Sequence, residues 1–404
     1  MKLRLKEMRS ESIDKKYKFN IYKAYLYHFI LGIHTVRAVY YAFMTEWGGL
    51  SFSQQMILQA YFMFMIFILE IPSGAIADYL GRKKGLILSA MTVVLAAFSY
   101  SITPNIILFY LAETLWAFSI ALISGTDEAF LFNSLKMIGK EDRLPRVMGN
   151  IQVMNLVALT ISAPLGSIIA EFVSLQFTMT CLGIIYIGAF ITSLTYHEPE
   201  LVNKQESERY LNIIKDGFKE LKKNKILRIL CLDRLFINVF IYLLFWTYQP
   251  YLTAIGVPLF IWGFILSLMN LTTAGLSYLF PKILNKLKKK VVFLIFINII
   301  NGLGFILLAL TSNPFIAIIF LLLIVGFGYP RFLLYVHGIN KQIESENRAT
   351  VLSTINMFQS LSMALLYLII GFVVEIWGVF YFFIINGVII LILTLFTRAK
   401  SSYL

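Results

Sequence analysis

A short set of ionisable side chains stands inside stretches that are otherwise apolar. Charge is costly in hydrocarbon, so each of these groups needs a partner, a cavity or a task. They are His34 and Arg37, Glu70, Glu113, Asp127 and Glu128, Asp233 and Arg234, and Arg331. The chemistry open to them is ion pairing and proton exchange. Desolvation makes a carboxylate hold its proton more tightly, a nearby guanidinium loosens it, and an imidazole titrates near neutrality. Other chemistry finds little support. Cys181 and Cys231 lie in or beside apolar runs without metal-ligand or redox spacing, and read as small core residues. No Gly-x4-Gly-Lys-Ser/Thr loop is present, which argues against an ATP-driven pump. No enzymatic constellation, cofactor or metal site is expected.

The elements that must position these groups are membrane helices. The chain has 404 residues, 59% hydrophobic and only 14% charged, with a mean hydropathy of +0.77. Twelve apolar runs are each long enough to cross a hydrocarbon core of about 30 Å. Numbered here as spans 1 to 12, they cover roughly 21–44, 54–77, 85–104, 106–132, 147–170, 175–196, 226–250, 258–281, 291–311, 314–337, 349–373 and 378–397. The division between spans 3 and 4 is the least marked. The fold class is therefore an all-α polytopic membrane protein without a separate soluble domain. The net charge of +13 does not signal nucleic acid. Lys and Arg cluster in the N-terminal tail, at 82–84, 136–146, 204–228 and 282–290, at Lys341 and Arg348, and at the C-terminus, whereas the alternate loops carry none. That asymmetry predicts both termini and the basic loops in the cytoplasm of a plasma-membrane protein. No cleaved signal peptide is read at the N-terminus. Anionic lipid headgroups would attract the basic tail and Lys286 to Lys290.

The longest polar connection, 197–225, splits the spans six and six, giving halves at 21–196 and 226–397 flanked by tails 1–20 and 398–404. Leu211, Ile213, Ile214, Phe218 and Leu221 form a helical apolar stripe in that linker, suited to lying on the membrane surface. The halves echo each other weakly. Ser124-Gly-Thr-Asp127 stands where Gly326-Phe-Gly-Tyr-Pro-Arg331 stands in the second half, and Asp78-Tyr-Leu-Gly-Arg-Lys-Lys84 has a faded partner in Asn285-Lys-Leu-Lys-Lys-Lys290. Repeated halves are the architecture of secondary transporters.

Depth sorts the charges. Arg37 and Glu113 each lie about seven positions from the same end of their spans, roughly 10 Å deep at 1.5 Å per residue. On a continuous helix His34 would stand one turn from Arg37 on the same face. Asp233 and Arg331 lie nearer the basic side and are placed to pair, leaving Arg234 to reach Asp127 or Glu128 as an inner gate. Each set has a static reading beside the functional one: a structural bridge, a satisfied core histidine, or solvated tips at the headgroups. Glu70, just before Pro72, either accepts from backbone freed by the proline or binds a proton.

Between spans 2 and 3 stands Gly74-x3-Asp78-x2-Gly81-Arg82-Lys83. In residue types, spacing and position it resembles the loop 2–3 signature of the major facilitator superfamily, with Tyr79 where the family usually has arginine. The resemblance extends over nearly the whole chain. Glu70-Ile-Pro-Ser-Gly74, Ser124-Gly-Thr-Asp-Glu-Ala129, Trp246-Thr-Tyr-Gln-Pro-Tyr251 and Asn347-Arg-Ala-Thr-Val-Leu-Ser353 are similar to bacterial drug:proton antiporter-type members. Two departures stand out: Glu113 replaces an arginine that many proton-coupled members carry in span 4, and the fifth-span antiporter signature is reduced to Ser162-Ala-Pro-Leu-Gly-Ser167.

The resemblance implies the two-half major facilitator fold, with spans 1, 4, 7 and 10 lining a central cavity. Spans 1 and 4 would be neighbours, so Arg37 and Glu113 would form a proton-coupling pair with His34 as relay. The implied function is proton-coupled efflux of hydrophobic or amphipathic compounds, contacted by Trp116, Tyr248 and Gln249. The partners would be a small-molecule substrate, protons and the bilayer, with no nucleic acid, and the protein would act as a monomer. The alternatives are a symporter or uniporter importing a small organic solute, favoured by a more polar binding surface, and a non-transporting sensor. The turn motif would act as a latch, with Asp78 facing the N-terminus of span 11 at Ala349 to Leu352 and Arg82 bridging to Asp127 or Glu128.

Overall fold

The structure is a computed structural model that describes residues 2–199, 219–343 and 348–403. The linker stripe lies almost wholly outside the described residues, as do the side chains of Glu70 and Asp78, so the expected latch of Asp78 onto the start of span 11 lies outside them too. All regular structure among the described residues is helical. Among the described residues ten helices are long and apolar enough to cross a membrane, and Val379–Leu395 is a shorter apolar helix. The weakly marked boundary between spans 3 and 4 falls at Thr103 to Asn105, where the Asn105 side chain accepts the Ile107 N–H and starts a new helix. Ser174, Asn224 and Asn313 cap the starts of spans 6, 7 and 10 in the same way.

Three spans are interrupted where the sequence predicts continuous helices. Span 1 runs as helix from Lys2 to Gly32, unwinds, and resumes as short turns from Arg37 to Trp47. Span 7 divides into Lys225–Tyr242 and Leu244–Ala254, and span 10 into Pro314–Gly328 and Phe332–Lys341 around a 3-10 turn at Tyr329–Arg331. In span 10 the cause is Pro330, which has no N–H to continue the ladder. In span 1 it is Gly32 followed by Ile33, His34, Thr35 and Val36, a glycine and β-branched residues with weak helix preference.

Unwound backbone inside a membrane must find partners within the protein. The Ser162 hydroxyl of span 5 accepts the His34 N–H at 2.9 Å, and the Tyr186 hydroxyl of span 6 donates to the Leu31 carbonyl at 3.3 Å. Thr35 donates its hydroxyl to the Thr178 carbonyl. Gly166 of span 5 lets the two chains meet: a Cβ there would lie 1.7 Å from the Thr35 carbonyl oxygen. The reduced fifth-span motif thus serves close packing against the break.

The chain forms two compact units, residues 1–37 with 61–207 and residues 38–60 with 208–404. Each repeats the same packing. In the first, span 3 packs on spans 4 and 6, and span 1 on spans 5 and 6; in the second, span 9 packs on spans 10 and 12, and span 7 on spans 11 and 12. The weak sequence echo thus has a structural counterpart. Residues 38–60 depart from the boundary drawn by sequence, because their bonds run within the second unit. Tyr41 donates its N–H to the Gln249 side chain at 2.8 Å, and Glu375 of span 11 accepts from the Ser51 hydroxyl and the Ser53 N–H, each at 2.9 Å.

Candidate functional site

The first unit contains a cavity of about 610 Å3 beside the break in span 1. Its lining follows from the elements just described. The end of the first helix brings His28, the unwound segment brings His34 and the following turn brings Arg37, while span 4 supplies Trp116, Asp127 and Glu128. Gln152 and Asn155 of span 5 close the polar part of the wall. The cavity therefore presents carboxylates, amides, imidazoles and a guanidinium on part of its wall, with Trp116 offering an aromatic face, while Leu31, Val93, Ile120, Ile123, Leu156 and Leu159 make the rest apolar.

At its centre the His28 Nε2 meets the Asp127 Oδ1 at 3.0 Å. Both residues are buried, 6% and 7% exposed. His34 stands in the unwound segment and not on a continuous helix with Arg37, though its carbonyl accepts the Arg37 N–H at 3.3 Å and both line the cavity. Its ring lies near-parallel to Trp116 at 5.9 Å between centroids, and its Nε2 is 3.2 Å from the Tyr186 hydroxyl. Glu113, one turn before Trp116, does not line this cavity. It is buried and accepts a hydrogen bond from Tyr100 of span 3.

The basic end of this unit holds the loop 2–3 motif. Gly81 has φ of +99°, a conformation open to glycine and strained for other residues. Glu198 is the acid that binds the main chain at Arg82. Its two carboxylate oxygens accept the N–H groups of Arg82 and Lys83, each at 2.8 Å. The first turn of span 3 is thereby capped by a carboxylate from beyond span 6, where the helix's positive end favours an anion. Asp127 is engaged by His28, and Glu128 is exposed at the cavity.

In the second unit the expected Asp233–Arg331 ion pair is replaced by two separate arrangements. Arg331 is fully buried and donates to Asn298, Asn238 and Tyr335 at 2.7, 2.8 and 2.8 Å, and to the Asp233 backbone carbonyl at 3.4 Å. The Asp233 carboxylate accepts the N–H groups of Arg398 and Ala399, at 2.9 and 2.7 Å. The 3-10 turn at Tyr329–Arg331 aims the guanidinium into that polar cluster. Arg234 is partly buried in the same unit. Tyr248 and Gln249, expected to contact substrate, are buried and bonded to each other at 3.0 Å, with the Gln249 oxygen held by Tyr41.

Sequence reading missed three residues. His28 lies inside the first apolar run and met the same criterion as His34, so a signal was present. Glu198 and Glu375 lie at span ends, where an acid is ordinary, and no spacing marks either as a cap.

Comparison with known proteins adds three findings. The family model for the Major Facilitator Superfamily matches residues 29–334. No curated protein gives a significant match. Among solved structures, the fold resembles the nucleoside transporter NupG, both in its unaltered form and as a point mutant. Each has a TM-score of 0.75 and 14% sequence identity, with 96% of this chain and 100% of the other covered.

Proposed function

The chain belongs to the Major Facilitator Superfamily, and on that premise we propose that it is a secondary transporter moving a small polar organic solute together with protons. The observation that carries this reading is the polar wall of the cavity beside the broken first span. Asp127, Glu128, Gln152, Asn155 and Arg37 all present hydrogen-bonding groups to it. A hydrophobic compound would strip water from the Glu128, Gln152 and Asn155 side chains that line the cavity, and a polar group buried without a hydrogen bond costs about 1–3 kcal/mol. A solute with hydroxyl, amide or amine groups replaces the lost water bonds, and Trp116 accommodates a flat ring. This favours import of a polar solute over export of amphipathic drugs. The basic loops place the termini on the cytoplasmic side in this reading, and an ion gradient supplies the energy.

Nucleosides are sensible first probes, since they combine hydroxyls with a planar ring and a protein of the same fold is described as a nucleoside transporter. Purified protein in liposomes, loaded with and without a pH gradient, is screened against nucleosides, sugars, amino acids and amphipathic dyes. The expected result is saturable, gradient-stimulated uptake of a polar solute, weakened at least tenfold by Asn155→Ala. Extrusion of amphipathic dyes with no polar solute carried would overturn it in favour of proton-linked export. Inertness towards every solute would favour a sensor.

A further inference from the structure

We propose that His28 and Asp127 form the proton-binding site through which solute movement is coupled to the proton gradient, an inference that rests on the transport reading above. The pair meets three requirements at once. It is a direct contact, 3.0 Å between Nε2 and Oδ1. Its members are buried within the protein, yet both line the cavity, so a solute or water in the cavity can reach them. It also joins two elements that can part: His28 is one turn before the end of the helix at Gly32, and Asp127 belongs to the long helix of span 4. Discontinuous helices lining a cavity are where transporters place substrate and ion sites.

Two other intramembrane carboxylates are less suited. Glu113 is turned towards Tyr100 and does not line the cavity, and Asp233 is held by two N–H groups of the C-terminal segment. The surroundings of the pair complete its electrostatics. Tyr27, His34 and Arg37 come from span 1, Glu128 from span 4, and Tyr186 and Tyr196 from span 6 and its end. Span 5 contributes the uncharged Gln152 and Asn155.

With one proton on it, the pair is a neutral imidazolium–carboxylate couple or its tautomer. Without that proton it carries one negative charge beside Glu128. The proton comes from water on one side, rests between Nε2 and Oδ1, and leaves to water on the other side; no bond between heavy atoms changes. A solute donor group that binds Asp127 displaces His28 from it, so the occupancies of the solute and proton sites are linked. The sign of that linkage decides symport or exchange.

The test uses full-length protein in liposomes with the internal pH dye pyranine and a solute found in the screen. Wild-type protein is expected to concentrate the solute under a pH gradient and to move protons when solute alone is added. Asp127→Asn and His28→Gln should each reduce accumulation to the equilibrium ratio of one and abolish the proton signal, while solute counterflow in His28→Gln, which removes no assigned solute contact, stays within about threefold of wild type. A purely structural role would lower counterflow and accumulation together. Glu113→Gln provides the comparison. If it uncouples the protein and the two pair variants do not, or if either pair variant still concentrates solute, the proposal is overturned. If the variants are too unstable to assay, a wild-type solute-driven proton signal that persists in an Asp127→Glu, His28→Gln double variant also overturns it. Failure of wild-type protein to exchange any polar solute overturns the transport reading and the pair with it. Exchange without proton movement overturns the pair alone.

Discussion

Single residues decide whether the broken first span survives in a membrane. Two side chains and one glycine satisfy or admit the backbone at the break: Ser162 and Gly166 from span 5, and Tyr186 from span 6. Gly166→Ala is expected to force spans 1 and 5 apart, because its methyl group would overlap the Thr35 carbonyl at 1.7 Å. Overpacking of this kind costs about 1–3 kcal/mol, read as a lower melting temperature in detergent and a large loss of transport. Gly149→Ala is the matched control, since the same helix has open space there. Equal melting temperatures for the two variants would show that the close approach contributes nothing. The intramembrane charges were legible as a set, because ionisable residues stand out against apolar runs. Their partners were not. Arg331 illustrates why: its acceptors Asn238, Asn298 and Tyr335 are ordinary polar residues on three helical stretches, and only packing assembles them.

At the scale of elements, caps and breaks carry the design. Glu198 caps span 3 from a loop more than a hundred residues away, and Gly81 supplies both the positive φ and the room for that carboxylate. Glu198→Ala should remove a charged cap, lowering stability by about 1 kcal/mol, and Glu198→Gln should restore part of it. The measurement is the melting temperature of each variant, together with proteolysis at the basic turn Arg82 to Lys84. Unchanged melting and cleavage in the alanine variant would mean that the cap is redundant. The loop 2–3 motif was readable because its glycines and basic residues recur at fixed spacing, whereas its capping acid obeys no spacing at all.

For the molecule as a whole, the segment 38–60 matters because it continues helices of the first half and yet is packed within the second unit. Glu375 holds it at Ser51 and Ser53, and Met56 is buried against Gly371. Glu375→Ala is therefore expected to loosen the segment, and a cysteine placed at Met56, which is 1% exposed, should react faster with a maleimide in that background. A severalfold increase in labelling rate is the expected outcome. An unchanged rate would show that the apolar packing alone holds the segment in place.

Composition and charge determined the class of this protein by themselves, because a bilayer admits few solutions: apolar runs of fixed length must be helices, and basic loops must alternate with uncharged ones. Those constraints are local and one-dimensional, so the all-helical membrane class and the superfamily resemblance could both be read from order along the chain. The site obeys a different rule. Whether Arg37 follows His34 on a helix depends on whether Ser162, Tyr186 and Gly166 are present to accept an unwound backbone, and whether Asp127 is a gate or half of a buried pair depends on where His28 lies ninety-nine residues away. Partner choice is set by distance in space, which a periodic apolar pattern leaves open and which close packing of the helices decides.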